Sequence, residues 1–223
     1  MPNYRLFLLF SVLIIVSGAS DHSDKASLEG SISFQFEADK TLPAKDVLIW
    51  VKIPGHEPSR APRVEKMNQK NKEFEPRVMI APVNTEVYFP NLDSIFHSIF
   101  SFNKVKKIDL GQYKGKGMPV VFEEPGIYPI GCEIHPWMSA FVVIVDTPFY
   151  AKTGITGKFK FRNLVAGKHT FEVWSPKLKK QSQIEITLKS GKNDYDWIAS
   201  KDLLKKSRKR KKKVKKKNLG GLY

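Results

Sequence analysis

The chain has 223 residues, of which 41% are hydrophobic and 12% aromatic, and it carries a formal net charge of +16. This length and composition exclude an intrinsically disordered protein and allow one or two modest domains, each with an apolar core. Fifteen phenylalanines and many valines and isoleucines, with glycine and proline dispersed among them, predict an all-β protein built from short strands.

The first 20 residues have the pattern of a secretory signal peptide. Arg5 precedes an apolar run over residues 6–16, and small residues follow up to Ser20. A membrane-spanning helix needs roughly 20 apolar residues, so this shorter run favours a cleaved signal over a retained anchor, which is the alternative. Nothing after residue 20 is apolar for long enough to span a bilayer. We therefore expect a mature protein that is periplasmic or secreted.

Strand-like segments separated by turn residues follow the signal. Residues 31–37 alternate between apolar and polar, and residues 47–53 are rich in β-branched and aromatic side chains before Pro54-Gly55. The polar, proline-containing stretch 55–73 is typical of a linker or an irregular crossing. Six further short segments are predicted strands: 78–81, 86–89, 95–102, 120–122, 127–132 and 140–145.

A second group of predicted strands begins after Asp146. Residues 157–161 and 169–174 alternate on either side of a turn, and 183–188 supplies one more strand. Four strands at most are too few to close a stable sandwich alone, so strands from elsewhere must complete it. The pattern predicts two small all-β units, in tandem or interleaved.

Cys132 is the only cysteine of the chain. An exported protein normally pairs its cysteines, so this one is expected to be buried, bound to a metal, or linked to another chain. His135 follows it by three residues and Met138 by six, between two predicted strands, and His97 lies in a third. A thiolate, two imidazoles and a weak axial thioether are the ligand set of a mononuclear blue-copper site.

Each of these residues also has a structural interpretation. His97 could be a core histidine, Met138 a packing residue and His135 a surface loop residue, but their joint spacing around a lone cysteine favours a metal. Pro136 stiffens the loop and the flanking strands clamp its ends, so two oxidation states can share nearly one geometry. The remaining histidines lie in no such pattern and are interpreted as surface or structural residues: His22, His56 and His169.

Several motifs of residues 64–146 occur in a characteristic order: Phe74-Glu-Pro76, Val87-Tyr-Phe89-Pro-Asn91, Ile95-Phe-His97, Gly126-Ile-Tyr128 and Cys132-Glu-Ile-His-Pro-Trp-Met138. They resemble a small cupredoxin of the amicyanin, pseudoazurin and plastocyanin kind. The resemblance implies a Greek-key sandwich holding one type 1 copper on His97, Cys132, His135 and Met138. The family usually has asparagine after the first histidine, where it helps to lock the ligand loop. In this chain Ser98 occupies that position.

Residues 150–190 contain a second set of motifs: Thr153-Gly154, Gly157, Phe159, Phe161, Asn163-Leu164, Gly167 and Phe171-Glu-Val-Trp174. They resemble the second part of a carboxypeptidase regulatory-like, transthyretin-like sandwich, whose first part is matched at residues 30–34, 42–43 and 47–53. The cupredoxin unit (64–146) is thus predicted to be inserted into a small transthyretin/Ig-like β-sandwich made of residues 28–55 and 147–195. The combination resembles proteins often labelled methylamine-utilisation-like, a label that fixes no pathway.

The charge is concentrated at the C-terminus. Eleven lysines and arginines and no acid lie between Lys205 and Lys217, and without them the net charge falls from +16 to +5. Residues 201–223 are therefore predicted to be a basic disordered tail. The tail either solvates the protein or tethers it to an anionic membrane or lipopolysaccharide, each basic residue contributing about 1 kcal/mol. Nucleic acid is not expected, given the signal peptide and the lack of interleaved stacking aromatics.

These features predict an exported one-electron carrier, with a periplasmic copper-binding, storage or delivery protein as the alternative. Five histidines are too few for the further copper centres of oxidases and nitrite reductases, so an enzyme is not expected. Adhesion through the small sandwich is a third possibility, which rests on fold alone.

Trp137 beside His135 suggests a docking patch. Lysines between the ligand segments predict an acidic redox partner: Lys104, Lys106, Lys107, Lys114 and Lys116.

Overall fold

The computed structural model describes residues 25–59 and 61–206, whose regular elements are strands apart from one 3-10 helix, so the prediction of an all-β protein is confirmed. The predicted signal peptide (1–20) and the tail beyond Lys206 lie outside the described residues. No helix among the described residues is long and apolar enough to cross a membrane.

The regular elements of these described residues are eighteen strands and one 3-10 helix. The strands before residue 60 are β1 (Lys25–Glu37), β2 (Lys40–Pro43) and β3 (Leu48–Val51). The middle strands are β4 (Arg63–Lys66), β5 (Asn68–Lys70), β6 (Glu73–Glu75), β7 (Val78–Pro82), β8 (Thr85–Tyr88), β9 (His97–Phe102), β10 (Lys107–Tyr113), β11 (Pro119–Phe122), β12 (Gly126–Gly131) and β13 (Ser139–Val145). The last elements are β14 (Tyr150–Lys152), β15 (Lys158–Val165), β16 (Gly167–Trp174), β17 (Ser182–Leu188), β18 (Gly191–Ala199) and the helix η1 (Lys201–Leu203).

Strands from the two ends of the described chain share two sheets. In the first sheet β1 lies between β15 and β18 and also pairs with β2, and the second has the order β14-β3-β16-β17. Their apolar side chains alternate along the strands and form one buried cluster that includes Leu28, Phe34, Val51, Phe161 and Phe171. We call this group of strands the outer unit.

The middle strands form a second group, which we call the inner unit. Its sheets have the orders β10-β9-β12-β13-β7 and β11-β8-β4, and β5 and β6 form a separate hairpin. Residues from both larger sheets meet in a second buried cluster that includes Val87, Phe89, Ile99, Tyr128 and Val142. The same cluster contains Cys132 and Met138, so the loop between β12 and β13 is anchored in this core.

A third apolar cluster joins the two units. Leu48 and Trp174 of the outer unit pack with Val78, Val143 and Val145 of the inner unit, and all five side chains are buried. Lys152 Nζ also donates a hydrogen bond to the Val78 carbonyl at 2.9 Å. Because burying apolar surface is favourable, this cluster stabilises one arrangement of the two units.

Four segments differ from the sequence-based expectation. Residues 55–73, predicted as a linker or an irregular crossing, contain β4 and β5, and β4 pairs with β8 in parallel although its own side chains are mostly exposed. The polar strands β10 and β18 were not predicted. Both lie at sheet edges, where polar side chains are tolerated and the apolar pattern of a strand is weak. The chain also stays ordered beyond residue 201, since Leu204 is buried in the outer core and Lys205 N–H donates to the Lys177 carbonyl at 2.8 Å.

Candidate metal centre

The loop between β12 and β13 carries three of the four predicted ligands. The two strands pair in register up to Gly131 and Ser139, so residues 132–138 close a short connection at the end of the sheet. Met138 N–H donates to the His135 carbonyl at 2.8 Å, which makes the turn tight. Gly131 opposes Phe100 of β9, and a Cβ there would lie 2.6 Å from the Phe100 ring, so glycine allows β9 to approach this closely.

His97, Cys132 and His135 form a buried triangle of donor atoms. The two histidine Nδ1 atoms are 3.1 Å apart, and Cys132 Sγ lies 3.9 Å from each of them. All three side chains are buried, His97 completely and His135 to about nine-tenths. Among the described residues, this is the group of histidines, cysteines and carboxylates arranged to hold a metal ion.

The size of the triangle fits a metal ion. A point equidistant from the three atoms lies about 2.1 Å from each, close to the roughly 2.0 to 2.3 Å at which imidazole nitrogen and thiolate sulfur bind zinc. One soft thiolate and two imidazoles in a trigonal arrangement are also the equatorial set of blue-copper sites. The residues present therefore fit a first-row transition metal.

Met138, the predicted axial ligand, is buried beside this triangle. Its side chain belongs to the same apolar cluster as Cys132, and both residues line one surface groove. The structure thus groups His97, Cys132 and His135 by their donor atoms and Met138 by its burial and its position in the loop.

Ser98 ties β9 to the ligand loop. Its Oγ accepts the Glu133 N–H at 2.9 Å and donates to Cys132 Sγ at 3.8 Å. A hydroxyl has one proton and two lone pairs, so it can make both contacts at once. The serine that stands where the resembled family usually has asparagine therefore still connects the first histidine strand to the cysteine.

Asp93 is a functional candidate that the sequence analysis missed. Its Oδ2 lies 2.8 Å from Nε2 of His97, on the opposite side of the ring from the donor triangle. Partial burial by itself would raise the pKa of Asp93, but hydrogen bonds from the Lys72 N–H, His97 and the Asn71 N–H together hold that pKa below its usual value. An acidic residue four positions before a ligand histidine was the available signal, because ligating histidines commonly donate their other N–H to a carboxylate.

The segment before β9 is fixed by Asn91, a buried side chain. Its amide group donates to the carbonyls of Ile95 and Tyr113 at 2.9 and 2.8 Å, and its Oδ1 accepts the Asp93 N–H at 3.0 Å. These bonds connect the segment to the end of β10. The position of Asp93, and through it that of His97, is therefore set by the fold.

His135 lies at the accessible side of the triangle. Its ring contacts Trp137 with ring centroids 5.2 Å apart, and the Trp137 side chain is 64% exposed. Burial lowers the pKa of His135, and the neighbouring His97 lowers it further. Five exposed apolar residues flank the ligands in sequence, and we call them the ligand-loop face: Leu92, Ile95, Phe96, Ile134 and Trp137.

Several of the lysines predicted to attract a partner are placed by specific contacts. Lys114 Nζ lies 4.6 Å from the Phe96 ring centre, and Lys116 Nζ lies 5.9 Å from that of Tyr88. Lys106 instead donates to the Val121 carbonyl and pairs with Glu123. Lys114 therefore contacts Phe96 of the ligand-loop face directly.

The remaining described histidines make local contacts. His56 Nδ1 lies 3.2 Å from the Pro54 carbonyl oxygen, and His169 Nε2 lies 2.7 Å from that of Val165. Both are contacts to the main chain within four residues of the histidine. His22 lies outside the described residues.

No protein-family model and no curated protein matches the chain. Among solved structures, the copper-containing nitrite reductase of Thermus scotoductus SA-01 aligns at 21% identity and a TM-score of 0.36, covering 44% of this chain and 25% of the reductase. The purple cupredoxin of Nitrosopumilus maritimus aligns at 26% identity and a TM-score of 0.33, covering 36% of this chain and 99% of that protein. A reduced amicyanin variant aligns at 20% identity and a TM-score of 0.35, covering 40% of this chain and 86% of amicyanin. This chain thus spans a quarter of the length of the reductase and most of the two smaller proteins.

Proposed function

We propose that this chain is an exported mononuclear type 1 copper protein that carries single electrons. The observation that supports it is the buried triangle of His97 Nδ1, His135 Nδ1 and Cys132 Sγ, which fits the equatorial ligands of such a centre. Met138 would add a weak thioether donor. Export is inferred from the signal-like residues 1–20.

The surrounding residues favour electron transfer because they hold the donors in one geometry. A bound copper would supply exchange between two oxidation states that differ by one electron. Ser98 links β9 to the cysteine and to the loop, while strands β12 and β13 pair on both sides of that loop. Because these contacts restrain the donor atoms, little movement of the ligands would accompany a change of oxidation state of a bound copper.

The ligand-loop face is the proposed contact with the redox partner. It is apolar, it includes Trp137 against the His135 ring, and it carries Lys114 over Phe96. An exposed apolar surface with a basic margin suits a partner with an apolar centre and acidic residues around it. The partner would approach the metal through His135, the ligand nearest to solvent.

The outer unit is proposed to be a small transthyretin-like sandwich into which the cupredoxin-like inner unit is inserted. The support is the pairing of β1 with β15 and of β3 with β16, which joins chain segments that flank residues 64–146. The basic residues between Lys205 and Lys217 are proposed to tether the protein to an anionic membrane or lipopolysaccharide.

A copper titration of the mature protein tests the function. Cu(II) should produce an intense thiolate-to-copper absorbance band with the narrow hyperfine splitting of a type 1 site, and voltammetry should give a fast, reversible one-electron couple. Tight copper binding with an irreversible couple would instead support the alternative, a storage or delivery protein. A protein that binds zinc but never gives a coloured Cu(II) form would contradict both the copper assignment and the electron-carrier function.

A further inference from the structure

The carboxylate of Asp93 contacts the far side of a proposed metal ligand. Its Oδ2 lies 2.8 Å from Nε2 of His97, whose side chain is fully buried. An ionised carboxylate only accepts hydrogen bonds, so the proton of a neutral His97 ring lies on Nε2. Nδ1, which faces Cys132 and His135, is then left with the lone pair that a metal ion requires.

The turn between β5 and β6 holds the other side of the same carboxylate. Asn71 N–H donates to Oδ1 at 2.7 Å, and Lys72 N–H donates to Oδ2 at 2.9 Å. Both residues have positive φ, at 56° and 58°, so two successive N–H groups converge on one anion. Main-chain atoms therefore fix the carboxylate, and the carboxylate in turn fixes the imidazole.

We propose that Asp93 is a positioning residue of the metal centre, which selects the tautomer of His97, holds its ring and lowers the reduction potential of the bound metal. A carboxylate on the outer nitrogen makes an imidazole a stronger donor. A stronger donor stabilises Cu(II) more than Cu(I). The effect on the potential rests on the proposed function, whereas the selection of the tautomer holds for any divalent metal ion.

Asp93→Asn tests the proposal in the full chain, because it removes the charge and nearly keeps the shape. Cu(II) affinity should fall about 10- to 100-fold, and Cu(I) affinity should fall less. For each factor of ten by which the loss of Cu(II) affinity exceeds the loss of Cu(I) affinity, the reduction potential rises by about 59 mV. Asp93→Glu keeps the charge, so it should recover part of the lost Cu(II) affinity and bring the reduction potential part of the way back to the wild-type value. Asp109→Asn is the matched control, because that carboxylate accepts the Gly111 N–H in β10, and neither quantity should change.

Nitrogen-15 NMR of the metal-free full chain tests the tautomer independently of electron transfer, because no metal then dictates which ring nitrogen carries the proton. The wild-type protein should show a proton on His97 Nε2 that exchanges slowly with water, and in Asp93→Asn this proton should shift and exchange faster. A wild-type proton on Nδ1 would overturn the proposal, and the wild-type spectrum decides the question even if Asp93→Asn does not fold. An unchanged potential in a folded Asp93→Asn protein would overturn it as well.

The two proposals fail in different ways. If the copper protein has no blue band or reversible couple while the metal-free protein shows the protected Nε2 proton, the electron-carrier function is wrong and the positioning role of Asp93 is supported. If the couple is normal but Asp93→Asn leaves the potential or the Nε2 proton unchanged, the function is supported and the positioning role is wrong.

Discussion

The three donor side chains differ in what holds each of them. Asp93 contacts the His97 ring at Nε2, on the side away from the donor triangle, and Cys132 receives a hydrogen bond from Ser98. His135 is the donor nearest to solvent, and its ring rests on the exposed indole of Trp137. Two ligands are thus fixed from the interior of the protein and one from its surface, so substitution of each should produce a different defect.

Substitution of the four ligands should separate their roles. Cys132→Ser replaces a soft thiolate with a hard hydroxyl, so the intense absorbance band should vanish even if Cu(II) remains on the histidines. His97→Ala and His135→Ala should lower copper affinity, and added imidazole should restore part of the spectrum, more readily at the accessible His135 site. Met138→Leu should keep the colour and raise the potential, because a weak donor to Cu(II) is lost.

Two variants serve as controls for this series. Glu133→Gln and His169→Ala should leave the absorbance and the potential nearly unchanged, because neither side chain contacts the donor triangle. A Cys132→Ser protein that retained the intense band would show that the thiolate is not a ligand.

Ser98→Ala should weaken the link between β9 and the ligand loop. The thiolate loses a hydrogen-bond donor and becomes a stronger electron donor, so the potential should fall, opposite to the change expected for Asp93→Asn. Loss of the bond from Glu133 N–H should also lower the free energy of unfolding by about 1 kcal/mol. Voltammetry and urea unfolding measure the two effects.

Ser101→Ala is the matched control for Ser98→Ala. Ser101 is buried on the same strand, β9, but its hydroxyl has no hydrogen-bond partner in the described structure. Removing an unpaired buried hydroxyl should leave the potential unchanged and the stability unchanged or slightly higher. Equal potentials for Ser98→Ala, Ser101→Ala and the wild-type protein would argue against a role for Ser98 at the metal.

At the scale of strands, the sequence predicted most of the elements whose side chains form the cores, but not β10, which contributes Ile108, or β18, which contributes Ala199. The loop between β12 and β13 was identified because its ligand types and spacing are local features of the sequence. β18 was missed because its pairing with β1 depends on residues more than 150 positions away and its exposed edge tolerates polar side chains. The role of the β5–β6 hairpin in holding Asp93 was also missed. That role depends on main-chain N–H groups, which leave no trace in the side-chain pattern of the sequence.

Gly30→Ala should disrupt the central strand of the outer unit. A Cβ at this position would lie 1.8 Å from the Tyr195 carbonyl oxygen, so β1 and β18 would have to separate. We expect a loss of about 3 kcal/mol or more in the free energy of unfolding. Gly154→Ala is the control, because a Cβ there meets no atom within 4 Å, and its effect should stay within about 0.5 kcal/mol. Similar unfolding curves for the two variants would contradict the observed pairing.

For the whole molecule, the apolar cluster between the units and the basic C-terminus have separate consequences. Trp174 packs against Phe141 with ring centroids 5.1 Å apart, so the inner unit is held against the outer one. The last described residues stay beside the outer unit, because Leu204 pairs with Leu178 in an isolated bridge and Lys205 N–H donates to the Lys177 carbonyl. The basic segment therefore begins beside a folded core, and its first two lysines belong to the described structure.

Truncation at two positions should separate folding from surface binding. A protein ending at Lys206 loses nine of the eleven basic residues but keeps Leu204, so its melting temperature and copper colour should match those of the full chain. It should lose binding to phosphatidylglycerol vesicles at low salt. The binding of the full chain should itself weaken as salt rises, because exposed charges are screened over about 10 Å at 0.1 M.

A protein ending at Ser200 also loses the buried Leu204 side chain, which should cost about 2 to 5 kcal/mol of stability. Equal vesicle binding by the full chain and the protein ending at Lys206 would rule out the tether, and equal stability of the two truncated proteins would show that Leu204 does not contribute to the core.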